Sequence, residues 1–135
     1  ETGFRALADP LFSVLPRDRV DFAELYDDYP MAILMQLEDL GFCEKGKGTE
    51  FIQAHDFTVH GDFPINTGGG QLSGGQPGLA GGYLHVVEAL RQLKGEAGRH
   101  QVARARTALV TGIGLLGYNV NIVCCAGMIL ERRGA

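Results

Sequence analysis

The chain has 135 residues, a length that suits one compact domain, and its 45% apolar and 21% charged residues are ordinary for a globular protein. A net charge of −4 with no dense Lys/Arg block argues against a nucleic-acid footprint; no apolar run reaches the ~18–20 residues of a membrane span, and no N-terminal signal pattern is present. Cys43, Cys124 and Cys125 follow no disulfide framework, and the adjacent pair would point to opposite faces of a strand, so a reducing, cytoplasmic setting is expected. Because the chain begins with Glu1 rather than Met, it reads as a fragment, a processed product or a trimmed chain.

In chain order, Phe4 to Val14 suggests a helix interrupted at Pro10, and Pro16-Arg17-Asp18 a turn. Phe22 to Tyr26 reads as a short strand, followed by the acidic pair Asp27-Asp28. Pro30 suits a first helical position, where its missing N–H is not needed. Ile33, Leu34, Leu37 and Leu40 then share one helical face, and Gly41 fits the stop. Residues 44–62 are polar and ambiguous, with a short helix around Thr49 to Gln53. Phe63 to Asn66 is extended and enters a glycine-rich stretch; residues 66–82 hold eight of the twenty glycines, which makes this the most informative segment. Leu79, Tyr83, Val86, Leu90 and Leu93 follow at helical spacing, predicting a long helix from near Pro77 to near Gly95. Thr107 to Thr111 and Asn121 to Leu130 read as buried strands, antiparallel across the loop Gly112 to Val120. This alternation of strands and helices argues for an α/β layered fold.

Three segments, in this order, resemble the C-terminal region of thiolases, nearest to the lipid-transfer-protein and sterol-carrier-protein-X branch and its related aldolases. They are Ala23 to Tyr29 with the Leu-rich helix to Gly41; Asn66 to Gly78 running into Val87 to Gly95; and the terminal hairpin with Gly112-Ile113-Gly114. The resemblance covers nearly the whole chain but only the C-terminal part of a thiolase subunit. It implies a thiolase-like layered α-β-α fold with a mixed sheet, residues 1–135 forming an incomplete C-terminal domain. The family's N-terminal half, with its nucleophilic Cys, has no counterpart here.

Thiolase-type chemistry makes or breaks a carbon–carbon bond beside a thioester carbonyl, and needs donors for the developing oxyanion and a group that moves a proton. Relatives carry Asn, His or Tyr at Tyr26; a phenol there can donate to an oxyanion or, with a lowered pKa, exchange a proton. The alternative is a strand-end Tyr with its ring in the core and a wet hydroxyl. Asp27 and Asp28 are either bases or caps of the helix that follows. The family's catalytic His aligns with Gln76, which donates a hydrogen bond but is no base. Around it, Asn66, Gly69, Gly70 and Gly75 are expected to bring backbone N–H groups close to the substrate, and Gly114 to do so from the terminal loop; tight turns for helix packing are the competing reading. The family's second Cys has no equivalent near Thr111 and Gly112. In the related aldolases tyrosines serve as acid–base groups, and Tyr26 and Tyr118 correspond to them. His55, His60, His85 and His100 lack metal-ligand spacing and are expected on the surface or in packing roles; Cys124 and Cys125 are expected in the core.

Without the His and the second Cys, a Claisen thiolase is disfavoured. Retro-aldol cleavage of a 3-hydroxyacyl-CoA needs no acyl-enzyme, only a base and an enolate donor. The expectation is therefore the C-terminal part of an acyl-CoA aldolase, inactive in isolation, with an acyl-CoA acyltransferase or a non-catalytic acyl-CoA or lipid-binding relative as alternatives, and a subunit completing another chain's site as a third. No cofactor is expected beyond the coenzyme A of the substrate. By analogy a homodimer and an accessory protein with an OB fold are the expected partners.

Overall fold

The computed structural model describes residues 1–116 and 122–134. Among the described residues, the α-helices and strands run in the order α1 (Phe4–Val14), β1 (Phe22–Glu24), α2 (Pro30–Asp39), α3 (Gly48–Ala54), α4 (Gly70–Gly74), α5 (Gly82–Lys94), β2 (Thr107–Leu116) and β3 (Ile122–Glu131). The sheet order is β1-β2-β3: β1 lies parallel to β2 and β2 antiparallel to β3, giving the mixed sheet of a layered α/β fold.

Strand alternation sorts the core into two layers. Ala23 and Leu109 face α1 and α2, where they pack with Phe4, Leu37, Leu40 and Phe63. Phe22, Ala108 and Val110 face α5 and meet Ala89 and Leu93. Phe22 and Leu109 are wholly buried, and such burial is worth about 1.5–3 kcal/mol per side chain. On the same alternation Glu24 must face α5, so an acidic residue is folded into the interior.

Several elements depart from the sequence reading. α1 continues through Pro10, held against the sheet by buried Phe4 and Ala8. The glycine run is not only loop, since Gly69 and Gly70, both at positive φ, lead into the helical turn α4. The long helix does not begin at Pro77: a 3-10 turn covers Gly78–Ala80 and α5 starts at Gly82. Gly112, Ile113 and Gly114 lie in β2, which extends to Leu116: Gly112 and Ile113 keep pairing with Ala126 and Cys125, and Gly114 sits at a register shift before Leu115 pairs with Cys124. Cys124 is exposed and Cys125 only half-buried, packing against the layer that holds Phe4 and Leu109.

The largest difference concerns α5. Its buried positions are His85, Glu88, Ala89, Gln92 and Leu93, whereas Tyr83 is 71% exposed, Val87 54% and Leu90 42%. The helix therefore turns much of its polar stripe inward and much of its apolar stripe outward, the reverse of ordinary amphipathic burial.

Candidate functional site

β1 ends at Glu24, and the backbone beyond it is held by side chains. The Asn66 amide pairs with Leu25 in both directions, accepting its N–H at 2.7 Å and donating to its C=O at 2.9 Å. The Tyr26 N–H donates to Thr111 Oγ1 (2.9 Å) and its carbonyl accepts from Gln36 Nε2 (2.7 Å). Thr111 in turn donates to Gln36 Oε1 at 2.5 Å. This closed set fixes Tyr26 at the strand tip, with its side chain 7% exposed.

The glycine-rich segment folds back onto residues 26–28. Gln76 Nε2 donates to the Tyr26 hydroxyl at 3.0 Å and to Asp28 Oδ1 at 2.5 Å, so both amide hydrogens are used. Gly75, at φ 94°, supplies the turn that delivers Gln76. Burial pushes the Tyr26 pKa up; the Gln76 contact opposes that, and the negative charge of Asp28 adds to it. The group is thus held as a neutral phenol, suited to donating a hydrogen bond and not poised as a phenolate base, contrary to the lowered pKa that proton exchange would require. Gln71 is also buried in this region, and neither atom of its amide finds a partner.

Asp27 anchors the start of the same segment. Its carboxylate accepts the N–H groups of Gln71 (2.8 Å) and Leu72 (3.3 Å), so it caps α4. Neither Asp27 nor Asp28 caps α2, whose N-terminal residue Tyr29 makes no side-chain cap. Gly70 sits at φ 61°, and a Cβ there would overlap the Asp27 carboxylate. Gly70→Ala therefore combines backbone strain with loss of a buried cap; we expect it to lower unfolding free energy by about 2–4 kcal/mol, measurable by urea denaturation.

Behind Asp27 lies a buried charged group. His85, from α5, places Nε2 3.2 Å from Asp27 Oδ1 and Nδ1 3.5 Å from Glu24 Oε2. The ring is 1% exposed, and neither nitrogen aligns as a hydrogen bond, so the contacts are ionic. Burial alone would lower its pKa, but Asp27 and Glu24 outweigh that and raise it to about 9. Burial also raises the Glu24 pKa against the pull of His85 and Thr67. For Asp27, His85 and the α4 amides overcome burial and hold the pKa below the usual carboxylate range. Asp27 is thus the firmer ion-pair partner. The group continues through Thr67, which donates to Glu24 Oε1 (2.8 Å) and accepts from Gln92 Nε2 (3.0 Å); Gln92 Nε2 also donates to Glu88 Oε1 (3.0 Å), and Glu88 is paired with Arg91 at 2.9 Å. A small cavity of ≈ 170 Å³ opens beside it, lined by Gly68, Gly70 and Gly74 together with Glu24, His85 and Glu88.

Of the residues singled out in the sequence, Tyr26, Asn66, Gly70 and Gln76 converge on positions 25–28, and Gly69 supports them as the residue preceding α4. The Asn66 amide is committed to Leu25, a structural use where substrate binding was expected. Gly114 lies apart on β2, lining a mostly apolar hollow of ≈ 340 Å³ with Thr111, Val86 and Met128. Tyr118 falls outside the described residues. His85 is neither a surface residue nor an apolar packing residue: it is the centre of the buried charges. The signal for it was the spacing His85, Glu88, Gln92 on one face of a helix, opposite a strand carrying Glu24.

A family model described as thiolase C-terminal domain-like matches residues 12–125. Sterol carrier protein 2 of Oryctolagus cuniculus is 40% identical over 101 residues, 75% of this chain and 18% of that protein. The 17-hydroxy-3-oxo-4-pregnene-20-carboxyl-CoA lyase of Mycobacterium tuberculosis is 43% identical over 96 residues, 68% of this chain and 23% of that protein. An acetyl-CoA acetyltransferase of Methanothermobacter thermautotrophicus is 36% identical over 98 residues, 73% of this chain and 26% of that protein. Among solved structures, the Ltp2-ChsH2(DUF35) aldolase superposes with a TM-score of 0.76 at 29% identity, covering 95% of this chain and 31% of that one. The chain thus spans roughly a fifth to a third of the proteins it resembles.

Proposed function

Since the chain belongs to the thiolase C-terminal domain-like family, we propose that it supplies the Tyr26–Gln76 part of an active site that breaks a carbon–carbon bond in an acyl-CoA thioester by retro-aldol cleavage. The observation that carries this reading is the Gln76 amide on the Tyr26 hydroxyl, which leaves the phenolic proton to be donated. The lyase and aldolase relatives support it.

In this reading a base takes the proton of the substrate's 3-hydroxyl and the C2–C3 bond breaks as a carbonyl forms at C3. The electron pair passes into the thioester as an enolate, and the Tyr26 phenol donates to the enolate oxygen. Protonation at C2 then releases the shortened acyl-CoA. Tyr118 is the second acid–base group, and Gln76, lacking a titratable proton, orients Tyr26. The chain acts as a C-terminal domain within the larger thiolase fold, homodimeric and cytoplasmic, with coenzyme A entering as part of the substrate and no separate cofactor. A DUF35-type accessory chain is its partner, as the solved aldolase suggests. No described helix is long and apolar enough to cross a membrane.

The test is a product assay on the intact protein with a branched 3-hydroxyacyl-CoA. The expected result is stoichiometric release of a ketone and a shortened acyl-CoA. Acyl transfer between two thioesters would replace the aldol reading with Claisen chemistry, and tight binding without product would make the protein a carrier.

A further inference from the structure

We infer that His85 is a positioning residue for this site: wedged between Glu24 and Asp27, it fixes the Asp27 carboxylate against the start of α4 and so sets where the Gln76 amide meets the Tyr26 hydroxyl. The inference rests on the reading that Tyr26 and Gln76 face the substrate.

The argument is one of connectivity. Both ends of the segment 70–76 are tied to consecutive residues at the strand tip: its start by Asp27 through the Gln71 and Leu72 amides, its end by Tyr26 and Asp28 through Gln76. Between them the chain turns at Gly75, whose N–H donates to the Gln71 carbonyl at 2.9 Å, so the residue before Gln76 is tied to the same start of α4 that Asp27 holds. The placement of Gln76 therefore depends on how firmly the start is held. An isolated carboxylate cannot hold it in so dry a place, because a buried charge without a counterion is strongly disfavoured. His85 is the cation within reach, 3.2 Å away and wholly enclosed. The other charged groups around it are Glu24 from β1 and, on α5 itself, Glu88 with its partner Arg91; the Tyr26 ring lies 6.3 Å away, centroid to centroid. The outward Tyr83 and Val87 show that α5 does not bury this face for want of apolar side chains.

The test reads the Tyr26 hydroxyl directly. In the intact protein, labelled with ¹³C at tyrosine Cζ, the Tyr26 resonance is compared in wild type, Gln76→Ala, His85→Gln and the double variant. The expected result is that His85→Gln displaces the Tyr26 signal in the same direction as Gln76→Ala, and that the double variant matches Gln76→Ala alone, since the contact can be lost only once. Equal signals in wild type and His85→Gln, or additive displacements, would overturn the inference; additivity is what a purely Coulombic effect of the lost charge produces. If His85→Gln does not fold, pH titrations of wild type and Gln76→Ala decide the matter, since a purely Coulombic effect would move the Tyr26 signal equally in both. On raising the pH, the Tyr26 signal and the Gln71 and Leu72 amides should shift with the midpoint of the His85 ring nitrogens, and an independent midpoint would refute the coupling. None of these readouts uses turnover, so a failure of the catalytic role of Tyr26 shows separately, in the assay of a Tyr26→Phe protein.

Discussion

Tyr26→Phe lowers turnover of the intact protein by well over tenfold, toward the ~10²-fold loss typical of removing one oxyanion donor, and leaves the fold in place. The separation is expected because Tyr26 is anchored through its backbone, by Thr111 and Gln36, while its hydroxyl meets the side chains of Gln76, Asp28 and Gln71. Phe keeps the ring and the anchors and removes the hydroxyl that carries the proposed role. Gln76 retains Asp28 as an acceptor, so no buried donor is stranded. Steady-state kinetics alongside a thermal melt check both halves of the expectation. Unchanged turnover would remove Tyr26 from the mechanism; a collapsed melt would mean that its hydroxyl is structural. Because the phenol is held neutral, the loss should be the same at pH 6 and pH 8, as befits a missing donor and not a missing base.

The second large effect is on stability against pH. The folded pKa of His85 stands at about 9 against an ordinary value of 6.5. The folded state binds this proton more tightly, so the stabilisation is fully present below pH 6.5 and is lost as the pH climbs toward 9. The whole swing is on the order of 3 kcal/mol. Glu24, whose folded pKa is also raised, adds a loss in the same direction as it ionises. Asp27 works oppositely: its lowered folded pKa withdraws stability as the medium turns acid. Urea unfolding midpoints from pH 5 to 9.5 should therefore fall on the alkaline side, and His85→Gln should flatten that limb. A midpoint that stays level through pH 9 would show that the imidazole is not a buried cation.

Local patterns made much of this legible in advance. Pro30 and Gly41 bracketed α2 because start and stop chemistry is encoded within a few residues. The antiparallel terminal hairpin followed from two apolar runs close in sequence. Gln76 meeting Tyr26 across fifty positions could be expected only from the family resemblance, since no local rule links a glycine turn to a distant strand tip. Apolar spacing from Leu79 to Leu93 marks a helix but does not carry the polar part of its buried face. His85, Glu88 and Gln92 are enclosed alongside Ala89 and Leu93 because they answer to Glu24 on β1 and to Thr67 beyond it. Periodicity tells that a helix has two faces; which of them is inside is decided by what waits on the sheet. The start of β1 follows simple alternation, but its end is written by side chains that substitute for strand neighbours.

That substitution at the end of β1 bears on how such a site changes over time. Leu25 and Tyr26 take backbone partners from the side chains of Asn66, Thr111 and Gln36. A residue seated within a ladder of main-chain bonds moves only if the whole ladder does. Here a single codon at 36, 66 or 111 changes what holds the strand tip while the sheet stays as it was, so the placement of the phenol is open to natural or laboratory selection without a change of fold.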